Sequence, residues 1–293
     1  MRCIFCKQDS SASKSIEHII PESLGNTTSV LPKGVVCDKC NNYFARKVEQ
    51  PFLESTEIKS LRFREAIPNK KGFVPPINGI LNQEIPVKVY NPLPGVPLFS
   101  CGGDMIFAID SEYYDALKNI QTGNIYAPAF VDEMIPESSA IISRFVAKIA
   151  LESLAERFYK HEGGLDYLID DSAFDPIRHY ARVGGKAVWP YHIRRIYNMD
   201  KQWADNAGAF YQVVHESDFL VIPADEHVDL CNDNPVLVYP YFVLALFGLE
   251  FVINIGDSGA DSLSIYQSWL KEHDNISPLY NEKNRGVDMS AKN

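Results

Sequence analysis

Apolar and polar positions change rhythm several times along this chain, and each rhythm predicts an element. Across residues 38–60, Tyr43, Phe44, Val48 and Phe52 recur near helical spacing. Pro51 interrupts that run, because proline lacks an N–H and its ring crowds the preceding turn. Ile85, Val87 and Val89 alternate as a strand does, and residues 111–120 read as a short helix after an Asp/Ser start. The strongest helical signal covers residues 138–160. There Ile142, Phe145, Val146, Ile149, Leu154 and Phe158 return at three- and four-residue steps, the stripe of a helix that faces a core. Residues 210–222 and 236–255 are rich in β-branched and aromatic side chains and predict paired strands, with turns near Ser217 and Gly248.

These elements make an α+β protein with no internal repeat. Proline, glycine and charge gather between Ile67 and Pro76, so a linker is expected over residues 67–77. It would separate a small domain, 1–66, from a larger mixed α+β domain, 78–293, of no assigned fold. A length of 293 residues, with 46% hydrophobic and 23% charged positions, suits one small and one medium globular domain.

Charge divides the same way. The net charge is −10, yet residues 1–75 hold 12 Lys and Arg against 8 Asp and Glu, a surplus of +4. The rest holds 16 against 30, or −14. Phosphate contacts are therefore expected at the amino end, with Arg46, Lys47, Arg62 and Arg64 as candidates. The acidic remainder disfavours indiscriminate sticking to nucleic acid. A second basic and aromatic run, Arg178, His179, Arg182, Lys186, Trp189, His192, Arg194, Arg195 and Tyr197, could stack bases, but an ordinary strand with solvated basic residues is the expectation. No basic-then-apolar leader opens the chain, and the apolar run 241–249 is far below the roughly 20 residues of a spanning helix. A soluble, cytoplasmic protein is expected.

Cysteine spacing carries the most chemistry. Cys3-x2-Cys6 and Cys37-x2-Cys40 are two knuckles, and four thiolates at about 2.3 Å close a tetrahedral shell around structural Zn²⁺. Cys101 and Cys231 stand apart, so a disulfide framework is not expected. His227 lies four residues before Cys231, but without partners nearby the pair is not read as a metal site. Between the knuckles runs Glu17-His18-Ile19-Ile20-Pro21, and Asn41-Asn42 follow Cys40 directly.

That order, CxxC, then EHIIPESLGN, then CDKCNNYF, resembles the HNH endonucleases of the ββα-metal type over about residues 1–50. The resemblance implies a short hairpin and a following helix that grip one divalent ion. It implies His18 as general base and Glu17 as a metal ligand at a position that usually reads Asp. Asn41 would be the last ligand, with Asn42 as its alternate. The middle Asn of the motif has no counterpart in residues 31–36, and Asn26 is the nearest, read as bracing a loop. The chemistry fits these types: a neutral imidazole near pH 7 can take a proton from water, and hard oxygens suit Mg²⁺ or Mn²⁺. Neighbours on a strand face opposite ways, so a bulged or twisted strand is expected to bring Glu17 and His18 to one phosphate.

The resemblance implies a metal-dependent phosphodiester hydrolase acting on DNA, with RNA not excluded. By family analogy it would serve in antiviral defence against foreign DNA, with the carboxy-terminal domain as a sensor or assembly domain that takes a small-molecule or protein activator. One such site cuts one strand at a time, so a homodimer is a further expectation. A zinc module that binds nucleic acid or protein without catalysis is the alternative.

Overall fold

The computed structural model describes residues 1–26, 28–69, 71–90, 123–127, 134–197, 203–204, 210–211, 215–224, 237–279 and 287–288. Residues 111–120, Cys101, His227 and Cys231 lie outside the described residues. The protein is of mixed α+β class, and the chain groups into two units. One gathers residues 1–20, 26–52 and 136–293; the other holds residues 21–25 and 53–135.

In the first unit, the amino end makes a knuckle. Lys7, at φ 60°, donates its N–H to Cys3 O at 2.9 Å and turns the chain back, so that Arg2 bridges Asp9. Strand β1 (Glu17–His18) pairs antiparallel with β2 (Val30–Leu31), and helix α1 (Asp38–Phe44) follows. The next five residues, Ala45–Glu49, form a π-helical turn in which Gln50 donates to Ala45 O. Pro51 supplies the reason: with no N–H to give and a ring against the turn before it, it loosens the helix instead of ending it. Helix α2 (Gln50–Glu54) continues from there.

Helix α4 (Ala140–Phe158) starts at Ser139, whose hydroxyl accepts the Ile142 N–H. Its burial is wider than a stripe. From Ile142 to Ala155 every residue but Arg144 is buried, including Ser143, Lys148, Glu152 and Ser153. Phe145 stacks on Phe52 with ring centroids 3.8 Å apart, and each such buried aromatic contributes about 1.5–3 kcal/mol. Helices α5 (Gly164–Asp170) and α6 (Asp175–Val183) pack on α4.

A four-stranded antiparallel sheet closes this unit, in the order β6 (Tyr191–Arg195), β11 (Leu249–Asn254), β10 (Val238–Leu246), β9 (His215–Pro223). Residues 241–246 and 249–254 are buried without a break, because helices cover both faces of the sheet. Helix α7 (Ser264–Glu272) sets Tyr266 and Leu270 against Tyr241, Val243, Ala245 and Val252, while α4 meets β11. Gly248 turns β10 into β11 at φ +77°, where a Cβ would lie 2.2 Å from Tyr197 O. The turn anticipated at Ser217 is absent: Ser217 lies inside β9 opposite Leu244. A small sheet joins β12 (Val287–Asp288), β7 (Trp203–Ala204) and β8 (Phe210–Tyr211).

The second unit contains α3 (Thr56–Arg64) and the antiparallel strands β3 (Ile77–Leu81), β4 (Ile85–Val89) and β5 (Ile125–Tyr126). Leu81, Ile85, Val87 and Val89 form its core, with Phe63, Ile77 and Ile125 packed against them. Among the described residues, no helix is long and apolar enough to cross a membrane.

Candidate metal centre and nuclease motif

The knuckle and α1 bring the four cysteines together. Their sulfurs all lie within 4.8 Å of one another, and Cys6 Sγ is 3.7 Å from Cys37 Sγ. A tetrahedron of thiolates at about 2.3 Å from one ion has edges of about 3.8 Å, so the set could close around one zinc ion. Backbone amides support it: Cys37 N–H donates to Cys3 Sγ and Cys40 N–H to Cys37 Sγ, both at 3.4 Å. A hydrogen bond from Cys40, reinforced by backbone N–H groups, lowers the Cys3 thiol to about 5. That bond in turn raises Cys40, and burial raises Cys6. Crowded sulfurs cannot all ionise without a cation among them. Asp38, at the start of α1, accepts from Lys14 N, Ser15 N and Ser15 Oγ and fastens the segment leading to β1.

Hairpin and helix form the ββα arrangement that the motif implies. The strand pair is regular, with Glu17 opposite Leu31 and His18 opposite Val30. No bulge interrupts it, so the pleat sends the two side chains apart: Glu17 is 5% exposed, whereas His18 is half-buried and Ile16 lies in solvent. Asn41 donates from Nδ2 to Ile16 O at 3.2 Å, which ties α1 to the strand, and Asn42 is exposed. Asn26 braces the loop from β1 to β2. Its Nδ2 donates to Ile20 O and Ser29 O, and its Oδ1 accepts from Thr28 N and Ser29 N.

Glu17 meets a cation from far along the chain. Lys148 Nζ, fully buried on α4, lies 2.7 Å from Glu17 Oε1, 2.7 Å from Glu49 Oε1 and 2.8 Å from Glu152 Oε2, with His18 O at 3.4 Å. Desolvation raises the Glu17 carboxyl, opposed by Lys148 and aided by Glu49; the Glu152 carboxyl is raised well above its ordinary value for the same first reason. Desolvation pulls on Lys148 the other way, but Glu152, Glu17 and Glu49 outweigh it and keep the ammonium protonated. In this arrangement the Lys148 ammonium holds the Glu17 carboxylate in the interior.

Sequence reasoning did not single out Lys148, Glu49 or Glu152. The signal was present: a Lys and a Glu four apart inside the apolar run FVAKIALESLA cannot both reach solvent from a buried helix.

Of the candidate phosphate contacts, Arg46, Lys47 and Arg64 are exposed, whereas Arg62 is 7% exposed. Burial lowers the Arg62 guanidinium from its usual range. The basic run from Arg178 to Tyr197 is solvated only in part: His179 and Lys186 are exposed, but other members are engaged within the fold. Arg178 donates to Ile4 O and Leu168 O, Arg194 pairs with buried Glu250 at 2.6 Å, Arg195 donates to Phe247 O, and Trp189 Nε1 donates to Asn254 O. Buried Glu250 also accepts from Tyr266 Oη and Ser277 Oγ. These bases and aromatics are engaged by their own fold.

No curated protein and no solved structure matches the chain. Residues 3–57 match the family model described as HNH endonuclease, and this stretch contains all four cysteines, the hairpin and α1. The amino-terminal segment is therefore assigned to the HNH endonucleases, with the carboxy-terminal region unassigned.

Proposed function

We propose that the protein is a metal-dependent endonuclease that hydrolyses phosphodiester bonds in DNA. The observation that carries this reading is a half-buried His18 on a ββα hairpin beside a closely gathered four-cysteine set, within the segment that matches the HNH family. The cysteines would hold structural zinc. A divalent ion, Mg²⁺ or Mn²⁺, would supply charge neutralisation at the phosphoryl and leaving oxygens. Asn41, or Asn42 in its place, would offer that ion an amide oxygen. His18 would take the proton of the attacking water at Nε2, since its Nδ1 is covered by protein. Exposed Arg46, Lys47 and Arg64 would meet the backbone. As a functional division, residues 1–66 carry the nuclease elements and 78–293 sense or assemble, in cytoplasmic defence against foreign DNA, with an activator and a second copy as partners.

The test is cleavage of supercoiled plasmid with Mg²⁺ or Mn²⁺, wild type beside His18→Ala, with zinc content measured on both. Nicking by wild type and a loss of at least about 100-fold in the variant, at equal zinc, is expected. Equal activity in the two, or none in wild type with any nucleic acid, overturns the reading. One observation favours a binding finger without chemistry, namely the engagement of Glu17 by Lys148. On that reading His18→Ala leaves function intact and Cys37→Ser abolishes it.

A further inference from the structure

We infer that Glu17 serves the nuclease motif as the anchor of Lys148 rather than as a ligand of the divalent ion, which makes Lys148, Glu49 and Glu152 positioning residues of the site. The inference rests on the nuclease reading for what is positioned, but its geometry stands by itself. Three carboxylates from three elements, β1, the π turn and α4, converge on one ammonium at 2.7–2.8 Å. Lys148 and Glu152 are fully buried, and Glu17 is 5% exposed. A divalent ion bound to Glu17 at about 2.0–2.1 Å would sit within a few ångströms of that ammonium and would repel it. It would also have to keep its waters beside a carboxylate that is only 5% exposed. The regular pairing of β1 turns Glu17 away from the face that carries His18.

What the cluster does for His18 follows from its fourth contact. Lys148 reaches both the Glu17 carboxylate and the His18 carbonyl, so one side chain grips two consecutive residues of β1 from behind. That fixes the strand's rotation and the direction in which the imidazole leaves it. A buried charge cluster suits such a task, because its energy falls steeply when geometry drifts, whereas an apolar contact tolerates sliding.

The test uses the full chain loaded with zinc and Mn²⁺ as probe, with free Mn²⁺ followed by electron paramagnetic resonance. Glu17→Gln should change Mn²⁺ affinity by less than about two-fold and lower the melting temperature by roughly 10 °C, the scale of breaking a buried pair. A ten-fold loss of Mn²⁺ affinity in Glu17→Gln would overturn the inference. A double-mutant cycle with Lys148→Met needs no metal. Because the two changes remove the same contact, the double variant should melt within a few degrees of Lys148→Met alone, and additive losses would sink the idea even if wild type binds no Mn²⁺. In plasmid nicking, Lys148→Met should lower kcat at least ten-fold and leave KM within about two-fold; the reverse split overturns a positioning role. Failure of the nuclease reading shows instead as indifference to His18→Ala, which leaves the melting cycle to decide this inference.

Discussion

Two small clusters hold the amino-terminal segment in shape, and they solve one electrostatic problem in opposite ways. At the knuckles, four sulfurs within 4.8 Å of one another can take a cation that the chain does not itself contain. At Lys148, three carboxylates surround a cation that the chain brings itself, from 131 positions after Glu17 in the sequence. The first is local in its cation but external in supply. The second is internal in supply but needs the rest of the fold, since α4 must be packed before Lys148 can reach β1. A finger of about fifty residues has too little core to stand on burial alone. Here it has one cation to bind and one to borrow.

Removing the external cation should have the largest effect. Chelation, or Cys37→Ser, is expected to unfold the segment from Cys3 to α1, because structural zinc contributes on the order of 10 kcal/mol in such modules. Loss of zinc should coincide with loss of amide protection in residues 1–44 and spare β10 and β11, as read by hydrogen exchange. Next comes Lys148→Met, expected to cost about 3–5 kcal/mol by leaving buried carboxylates uncompensated, with zinc content unchanged in chemical denaturation. If zinc were lost as well, the two clusters would be one cooperative unit.

Acid sharpens the contrast further. Thiolates must be ionised to hold metal, so zinc should leave as pH falls. The Glu17 and Glu152 carboxyls have folded values raised above their unfolded ones. Their contribution is fully present below the unfolded value, about 4.5, and is lost as pH rises through the raised folded values. Lowering pH from 7 towards 5 should therefore release zinc without loosening the packing of Phe145 and Phe52, seen as zinc release that precedes any change in near-ultraviolet circular dichroism. The smallest effect belongs to Arg2→Ala. Arg2 bridges Asp166 and Asp170 at 2.7 Å, but both aspartates are exposed and Arg2 is partly so, and the difference from wild type should vanish at raised salt.

The four-cysteine set and the ββα order were legible because they depend on spacing within fifty residues. So was helix α4, whose limits and Ser139 cap follow local rules. What escaped was long-range. Periodicity marked six apolar positions of α4 and passed over Lys148 and Glu152, whose burial makes sense only once β1 and the π turn supply opposite charge. The basic run near Arg194 read as solvated for the same reason, since Glu250 lies more than fifty residues later. Ser217 looked like a turn because polar residues break hydrophobic runs, yet a strand at the sheet edge tolerates them on its open side. Glu17 and His18 were adjacent in sequence, and that adjacency is what the pleat uses to separate them.

The π turn at Ala45–Glu49 sets a phase. An α-helix advances about 100° per residue, so one residue more or less between Cys40 and Glu49 would swing the carboxylate about a quarter of the way round its axis. The widened turn holds the extra residue that lets a single continuous rod satisfy two fixed points, a sulfur at one end and an ammonium at the other. Deleting Arg46 or Lys47, both exposed, would turn Glu49 away from Lys148 while every cysteine kept its place.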